Sequence, residues 1–130
     1  MIHATYHASS YQASFTNGLH EAVADLPTSK GGEGQGFGPH ELLEAALATC
    51  MTITVKLCAR KTDIDLQSVS CVVQLDRSTP DEVKATYQLT LEGTITQEQA
   101  SMLCDAASKC PVAKTLAKAI AIHPLSSQEC

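Results

Sequence analysis

The stretch PHELLEAALATCMTITVKLCARK, which begins at Pro39, constrains the fold more than any other part of this chain. Its residue pattern is helical. Proline suits the first helical position, where its missing N–H has no intrahelical bond to lose. Glu41 and Glu44 stand near the positive end of the helix dipole, and Arg60 and Lys61 close the negative end. Residues 39–60 would span about 33 Å. Between Ala45 and Ala59 the only charge is Lys56. Apolar side chains therefore emerge on nearly every side, with threonines between them, and a helix that is apolar all round is buried all round. A chain of 130 residues buries roughly two-thirds of its unfolded surface. It has difficulty covering both sides of such a helix, so a second copy of the chain is expected to help.

Strand signals flank this helix. Asn17-Gly18 is expected to supply the two positive-φ residues of a type I′ turn. Tyr11, Ala13 and Phe15 alternate before it, Leu19, Glu21 and Val23 after it, and residues 1–7 add a preceding strand. Residues 27–39, PTSKGGEGQGFGP, hold five of the seven glycines and read as a flexible loop. Their spacing fits neither a Walker loop nor a dinucleotide fingerprint. Later, Val69, Cys71, Val73 and Leu75 alternate, as do Val83, Ala85, Tyr87, Leu89 and Leu91, giving two half-buried antiparallel strands joined by a turn in RSTPDE. Thr96-Gln97-Glu98-Gln99 has capping-box form and starts a helix that runs to about Ser108. Cys110-Pro111 starts a third helix, AIAIHP reads as a last short strand, and SSQEC as a frayed tail. The order β-β-β, α, β-β, α-α, β describes an α+β domain with segregated sheets, spanning residues 1–130.

Composition narrows the classes. Fourteen acids against nine bases give a net charge of −5, and the only Lys or Arg before Lys56 is Lys30. Nucleic-acid binding needs clustered cations that this chain lacks. The N-terminus has neither the basic start nor the apolar run of a signal peptide. No run of 18 apolar residues occurs, which argues against a membrane span. A cytoplasmic protein with reduced thiols is expected. CxxC and the usual zinc spacings are absent, and His3 and His7 read as surface histidines, so no metal or other cofactor is expected.

Six cysteines occur, at 50, 58, 71, 104, 110 and 130. Cys50 is mid-helix among apolar neighbours, where a free thiol packs as a small hydrophobe. Cys110 differs. It takes an N-cap position usually held by Ser, Thr, Asp or Asn. Orphan amides and the dipole favour a thiolate there, with Lys109 and Lys114 close in sequence. Cys58, Cys71 and Cys104 read as core, and Cys130 as incidental.

GPHELLEAALATC and, some sixty residues later, CPVAKTLAKA resemble the two motifs of the OsmC/Ohr superfamily, the osmotically inducible and organic hydroperoxide resistance proteins. The first family motif is Pro-x-Glu-Leu-Leu followed by an Ala-rich turn and Cys. The second is Cys-Pro-(Val or Ile)-(Ser or Ala). Length and element order agree across nearly the whole chain. The resemblance implies an α+β fold with antiparallel sheets around a long buried central helix, in an intertwined homodimer. It also implies that Cys50 and Cys110 are the catalytic pair, placed together at the dimer interface. The implied chemistry is a thiol peroxidase cycle: Cys50 becomes a sulfenic acid on an organic hydroperoxide, Cys110 resolves it to a disulfide, and a dithiol such as a dihydrolipoyl group resets the pair.

One departure from the family pattern follows. The hydroperoxide reductases hold an Arg from the N-terminal strands with a Glu ten residues before the peroxidatic Cys. Here that position is His40, with Glu41 beside it as possible site support, and no Arg precedes Arg60. Arg60 is ten residues past Cys50, roughly 15 Å down the same helix. Lys30, Lys109 and Lys114 are the substitute cations available to the sequence. The departure suggests an OsmC-like branch outside the established reductases. Beside peroxidase turnover it leaves two alternatives, a redox sensor and a dimer that binds an apolar ligand.

Overall fold

The computed structural model describes residues 1–7 and 11–125. Three short strands come first: β1 (His3–Tyr6), β2 (Ala13–Thr16) and β3 (Glu21–Ala24). A short 3-10 turn (Thr28–Lys30) leads to the long helix α1 (Pro39–Lys61). Strands β4 (Leu66–Thr79) and β5 (Glu82–Gly93) follow, then helices α2 (Gln97–Ser108) and α3 (Pro111–Leu116). The contacts divide the chain into two compact units, one of Met1–Ala46 with Val73–Thr86, the other of Leu47–Val72 with the chain from Tyr87 onward.

In the first unit β1, β2 and β3 form an antiparallel sheet in chain order, in the register Tyr6↔Ala13 and Ala13↔Ala24. The β2–β3 hairpin forms where Asn17-Gly18 predicts it, but the turn is not type I′. Thr16↔Glu21 is the last strand pair, and four residues connect them. Asn17 Oδ1 accepts from the amides of Leu19 (2.9 Å) and His20 (2.8 Å), which closes an Asx-type turn. Of Asn17 and Gly18, only the glycine has positive φ, at +92°.

The glycine-rich segment is more organised than a plain flexible loop. Asp25, only 2% exposed, sits beneath it. Its carboxylate accepts from the amides of Leu26 (2.7 Å), Gln35 (3.1 Å) and Glu33 (3.2 Å). These bonds, the Gln35 amide foremost, hold the carboxyl below its usual range against the opposing effect of burial. Gly32 is needed for the close approach: a Cβ there would stand 1.9 Å from the Leu26 carbonyl oxygen. The segment ends in a parallel bridge between Phe37 and Ala24.

The buried apolar core lies in the second unit. Leu47, Met51, Val55 and Ala59, four residues apart on α1, pack with Ile64, Leu66, Leu103, Ala107 and Cys110. Thr96 caps α2 as its sequence predicts: its hydroxyl accepts from Gln99 N (3.2 Å), and Thr96 N donates to Gln99 Oε1 (2.8 Å). On β4, Val69, Cys71, Val73 and Leu75 are half-buried and alternate with exposed residues, as expected. On β5 only Leu89 and Leu91 are half-buried, while Val83, Ala85 and Tyr87 lie exposed.

Three expectations need correction. The β4–β5 turn is only Pro80–Asp81, so Arg77, Ser78 and Thr79 belong to β4. Two residues suffice to reverse an antiparallel pair. AIAIHP, residues 119–124, forms no strand; Ile120 and Ile122 are exposed, and β-branched side chains specify a strand only where a sheet receives them. Finally, α1 is long and apolar enough to cross a membrane by length and composition alone, although its sequence lacks an unbroken apolar run. Its buried residues are Leu47, Met51, Val55 and Ala59. SSQEC, with Cys130, lies outside the described residues.

Candidate functional site

Helix α2 ends at Ser108, and two residues later the chain enters α3. Cys110 occupies the junction. Its backbone is extended (φ −60°, ψ 153°), Pro111 takes the first helical position, and Cys110 Sγ accepts from Ala113 N at 3.4 Å. The thiol is therefore the N-cap, as the sequence predicts. It is also fully buried, at 0% exposure.

Burial changes its acid–base behaviour. Cap geometry alone favours a thiolate, and the Ala113 and Val112 amides do pull in that direction. Desolvation is the larger effect and pushes the thiol above its ordinary value. The expectation of a readily ionised Cys110 is thus overturned, because the α3 cap is sealed from water.

The second cause is Cys50. This half-buried α1 residue is near enough to act on Cys110, although sixty residues separate them in the chain. Its influence opposes ionisation of Cys110. Burial first, and Cys50 after it, shift Cys110 towards the protonated thiol.

Cys71 adds a third sulfur. The strand pattern placed it inward, but as a plain core residue. Its Sγ stands 3.8 Å from Met51 Sδ and 3.9 Å from the Val72 carbonyl oxygen. Burial pushes its thiol up, and the nearby Cys110 pushes it further. Cys58 is half-buried, and Cys104, expected in the core, is exposed on α2.

His40 and Glu41 lie in the first unit, on the opening turn of α1. Glu41 Oε2 accepts from Gly38 N at 2.8 Å, so this carboxylate serves the helix start. Arg77 Nη1 donates to His40 Nε2 at 3.1 Å, which requires the His40 proton on Nδ1. Sequence reasoning missed Arg77 because it read the position as turn. The signal was present: β4 alternation carried past Leu75 puts residue 77 on the same side. Of the substitute cations, Lys109 is committed to an exposed ion pair with Asp105 at 2.7 Å. Lys30 ends the 3-10 turn and Lys114 lies in α3. Among the described residues no three His, Cys, Asp or Glu side chains are grouped to hold a metal ion.

Comparison with known proteins bears on this arrangement. The profile of the family described as OsmC-like protein matches residues 32–124, a span that includes Cys50, Cys71 and Cys110. Several solved structures are similar along nearly their whole length. A Psychrobacter arcticus protein described as an osmotic stress induced and detoxification response protein is 26% identical, with a TM-score of 0.74 over 95% of this chain and 88% of that one. An organic hydroperoxide resistance protein OsmC from Legionella pneumophila is 25% identical, with a TM-score of 0.65 over 90% and 89%. An OsmC-like protein from Mycoplasma pneumoniae, 20% identical, gives a TM-score of 0.77 over 89% and 85%. Comparison with curated proteins gives no match.

Proposed function

Because the chain belongs to the OsmC-like protein family, we propose that it is a cytoplasmic, thiol-dependent peroxidase that reduces organic hydroperoxides. The observation that carries this reading is that Cys50 on α1 and Cys110 at the α3 cap, sixty residues apart in the chain, are near enough for Cys50 to oppose ionisation of Cys110. The resemblance of the two cysteine motifs to those of the family supports Cys50 as the attacking sulfur and Cys110 as the resolver. Similarity to the Legionella organic hydroperoxide resistance protein points the same way.

In the proposed cycle the Cys50 thiolate attacks the distal oxygen of the hydroperoxide. The O–O bond breaks, an alcohol leaves, and Cys50 becomes a sulfenic acid. Cys110 then attacks the Cys50 sulfur, water leaves, and a disulfide forms. A dithiol reductant, with a dihydrolipoyl group as the expected type, restores both thiols by exchange. Leu43, Ile53 and Leu57, exposed along α1, supply apolar surface suited to fatty-acid or aryl hydroperoxides and to a second copy of the chain.

Rapid-quench intact mass measurement tests this directly. Reduced protein is mixed with stoichiometric cumene hydroperoxide. Wild type is expected to form an intramolecular disulfide, Cys110→Ala to trap a sulfenic acid, and Cys50→Ser not to react. Wild type that stays reduced for minutes in large peroxide excess removes the peroxidase reading. The sealing of Cys110 favours a second reading, a sensor that oxidises but resets slowly. Turnover with dihydrolipoamide separates the two.

A further inference from the structure

On β4, Arg77 is held by an acceptor that does not neutralise it. Its Nη1 donates to His40 Nε2 at 3.1 Å, and an imidazole that accepts there carries no charge. One turn further along α1, Glu44 Oε1 accepts from Leu75 N at 2.8 Å and fixes β4 two residues before Arg77. Acids flank both Arg77 and His40 in sequence, yet each bonds to a backbone amide instead: Glu44 to Leu75, Glu41 to Gly38 (2.8 Å) and Asp76 to Ser78 (2.9 Å). Lys84, the other cation of the β4–β5 hairpin, pairs with Glu82 at 3.6 Å. Among the described residues Arg77 has no such ion pair. Its guanidinium has five N–H donors in a planar fork, and His40 takes up one of them. Arg77 lines a groove of about 600 Å³ with Gln74, Leu75, Asp76, Ser78 and Thr86, a volume within the range of small-molecule sites. All of these residues belong to the first unit.

We propose that Arg77, oriented by His40, anchors a binding site for a small carboxylate-bearing molecule. An arginine matched with an acidic side chain is oriented and neutralised together. Here the orientation comes from a neutral ring and from the Glu44–Leu75 bond, so the positive charge is left for a ligand. A carboxylate fits it because two oxygens accept side by side from the guanidinium fork. The Asp76 carboxylate in the same groove disfavours a ligand with a second negative charge, such as a phosphate dianion. Leu75 supplies an apolar wall for the chain attached to the carboxylate. The site goes beyond the peroxidase reading and does not rest on it, since it binds whether or not Cys50 reacts.

Arg60 and Arg77 are the only arginines in the sequence, so Arg60 serves as an internal control. The reduced full-length protein, labelled with nitrogen-15, is titrated at fixed pH and ionic strength with hexanoate, hexanamide and inorganic phosphate. NMR follows the arginine Nε–H and histidine ring signals. Hexanoate is expected to shift the Arg77 and His40 signals along a saturating curve while Arg60 stays in place. Hexanamide should move none of them. His40→Glu sets a carboxylate against Arg77 and should abolish the saturable shift, whereas His40→Gln, which keeps a neutral acceptor, should retain it. Non-saturating shifts shared by both arginines overturn the proposal, and so do equal responses to hexanoate and hexanamide. Phosphate that binds more tightly than hexanoate overturns the carboxylate assignment, and undiminished hexanoate binding by His40→Glu removes Arg77 as the anchor. The three titrations are made on wild type, so they do not depend on any variant folding.

Discussion

At Cys110 two local effects oppose each other, and burial prevails. The cap amides favour the thiolate, whereas a sealed site favours the thiol. This has a consequence for stability. A native thiol held above its unfolded value of about 8.5 retains its proton in the folded state at pH values where the unfolded chain has lost it. Its contribution is therefore fully present below that value and is lost as pH climbs through the folded one. Urea unfolding of the reduced protein should show a midpoint that falls as pH rises into the alkaline range, with a shallower fall in Cys110→Ala. Cys71, shifted in the same direction, contributes with the same sign. Asp25 behaves oppositely. Its lowered carboxyl adds stability above its unfolded value of about 3.9, which is lost as pH falls through the folded one. Asp25→Asn should strip hydrogen-exchange protection from the Glu33 and Gln35 amides, which bond to its Oδ2. The cap role of Cys110 was legible in the sequence because a Cys-Pro step before a helical run is a local pattern. Its burial and its partners were not, because both depend on chain segments far away in sequence.

Among the elements, α2 shows what local sequence can specify. Four consecutive residues define its start, and both capping-box bonds form. Thr96→Ala should cost about 1 kcal/mol in chemical denaturation. Leu103→Ala should cost more, about 2–5 kcal/mol, because that side chain is wholly buried in the core. If the two variants prove equally mild, the packing described for α2 is wrong. The strands were less legible. Alternation identified the inward side of β4, but the turn was drawn too wide, and Arg77 was lost with it. AIAIHP failed for the converse reason: its composition suits a strand, yet no neighbouring strand pairs with it. Strand identity depends on a partner, whereas a capped helix carries most of its own hydrogen bonds.

At the scale of the molecule, the unsolved surface is the second face of α1. Leu43, Ala46, Cys50, Ile53 and Leu57 follow one another at alternating steps of three and four, the spacing of a seam that receives another helix. Leu43, Ile53 and Leu57 are 46%, 60% and 49% exposed in the single chain. The apolar run in the sequence already pointed to a second copy, and the fold shows which side is left to be covered once Leu47, Met51, Val55 and Ala59 are buried. A homodimer that packs this face would also bring additional apolar cover to the half-buried Cys50. Sedimentation equilibrium should then give twice the 13.8 kDa chain mass for wild type. Its thermal midpoint should rise with protein concentration, because association stabilises only the folded state. Ile53→Glu places a charge in the seam and should shift the protein towards monomer while leaving the Leu47–Ala59 stripe in place. It should also slow oxidation of Cys50 if the partner completes the thiol site. A wild type that sediments as a monomer at tens of micromolar, on the order of any ordinary dimer constant, would refute the dimer and leave the exposed α1 seam without an occupant.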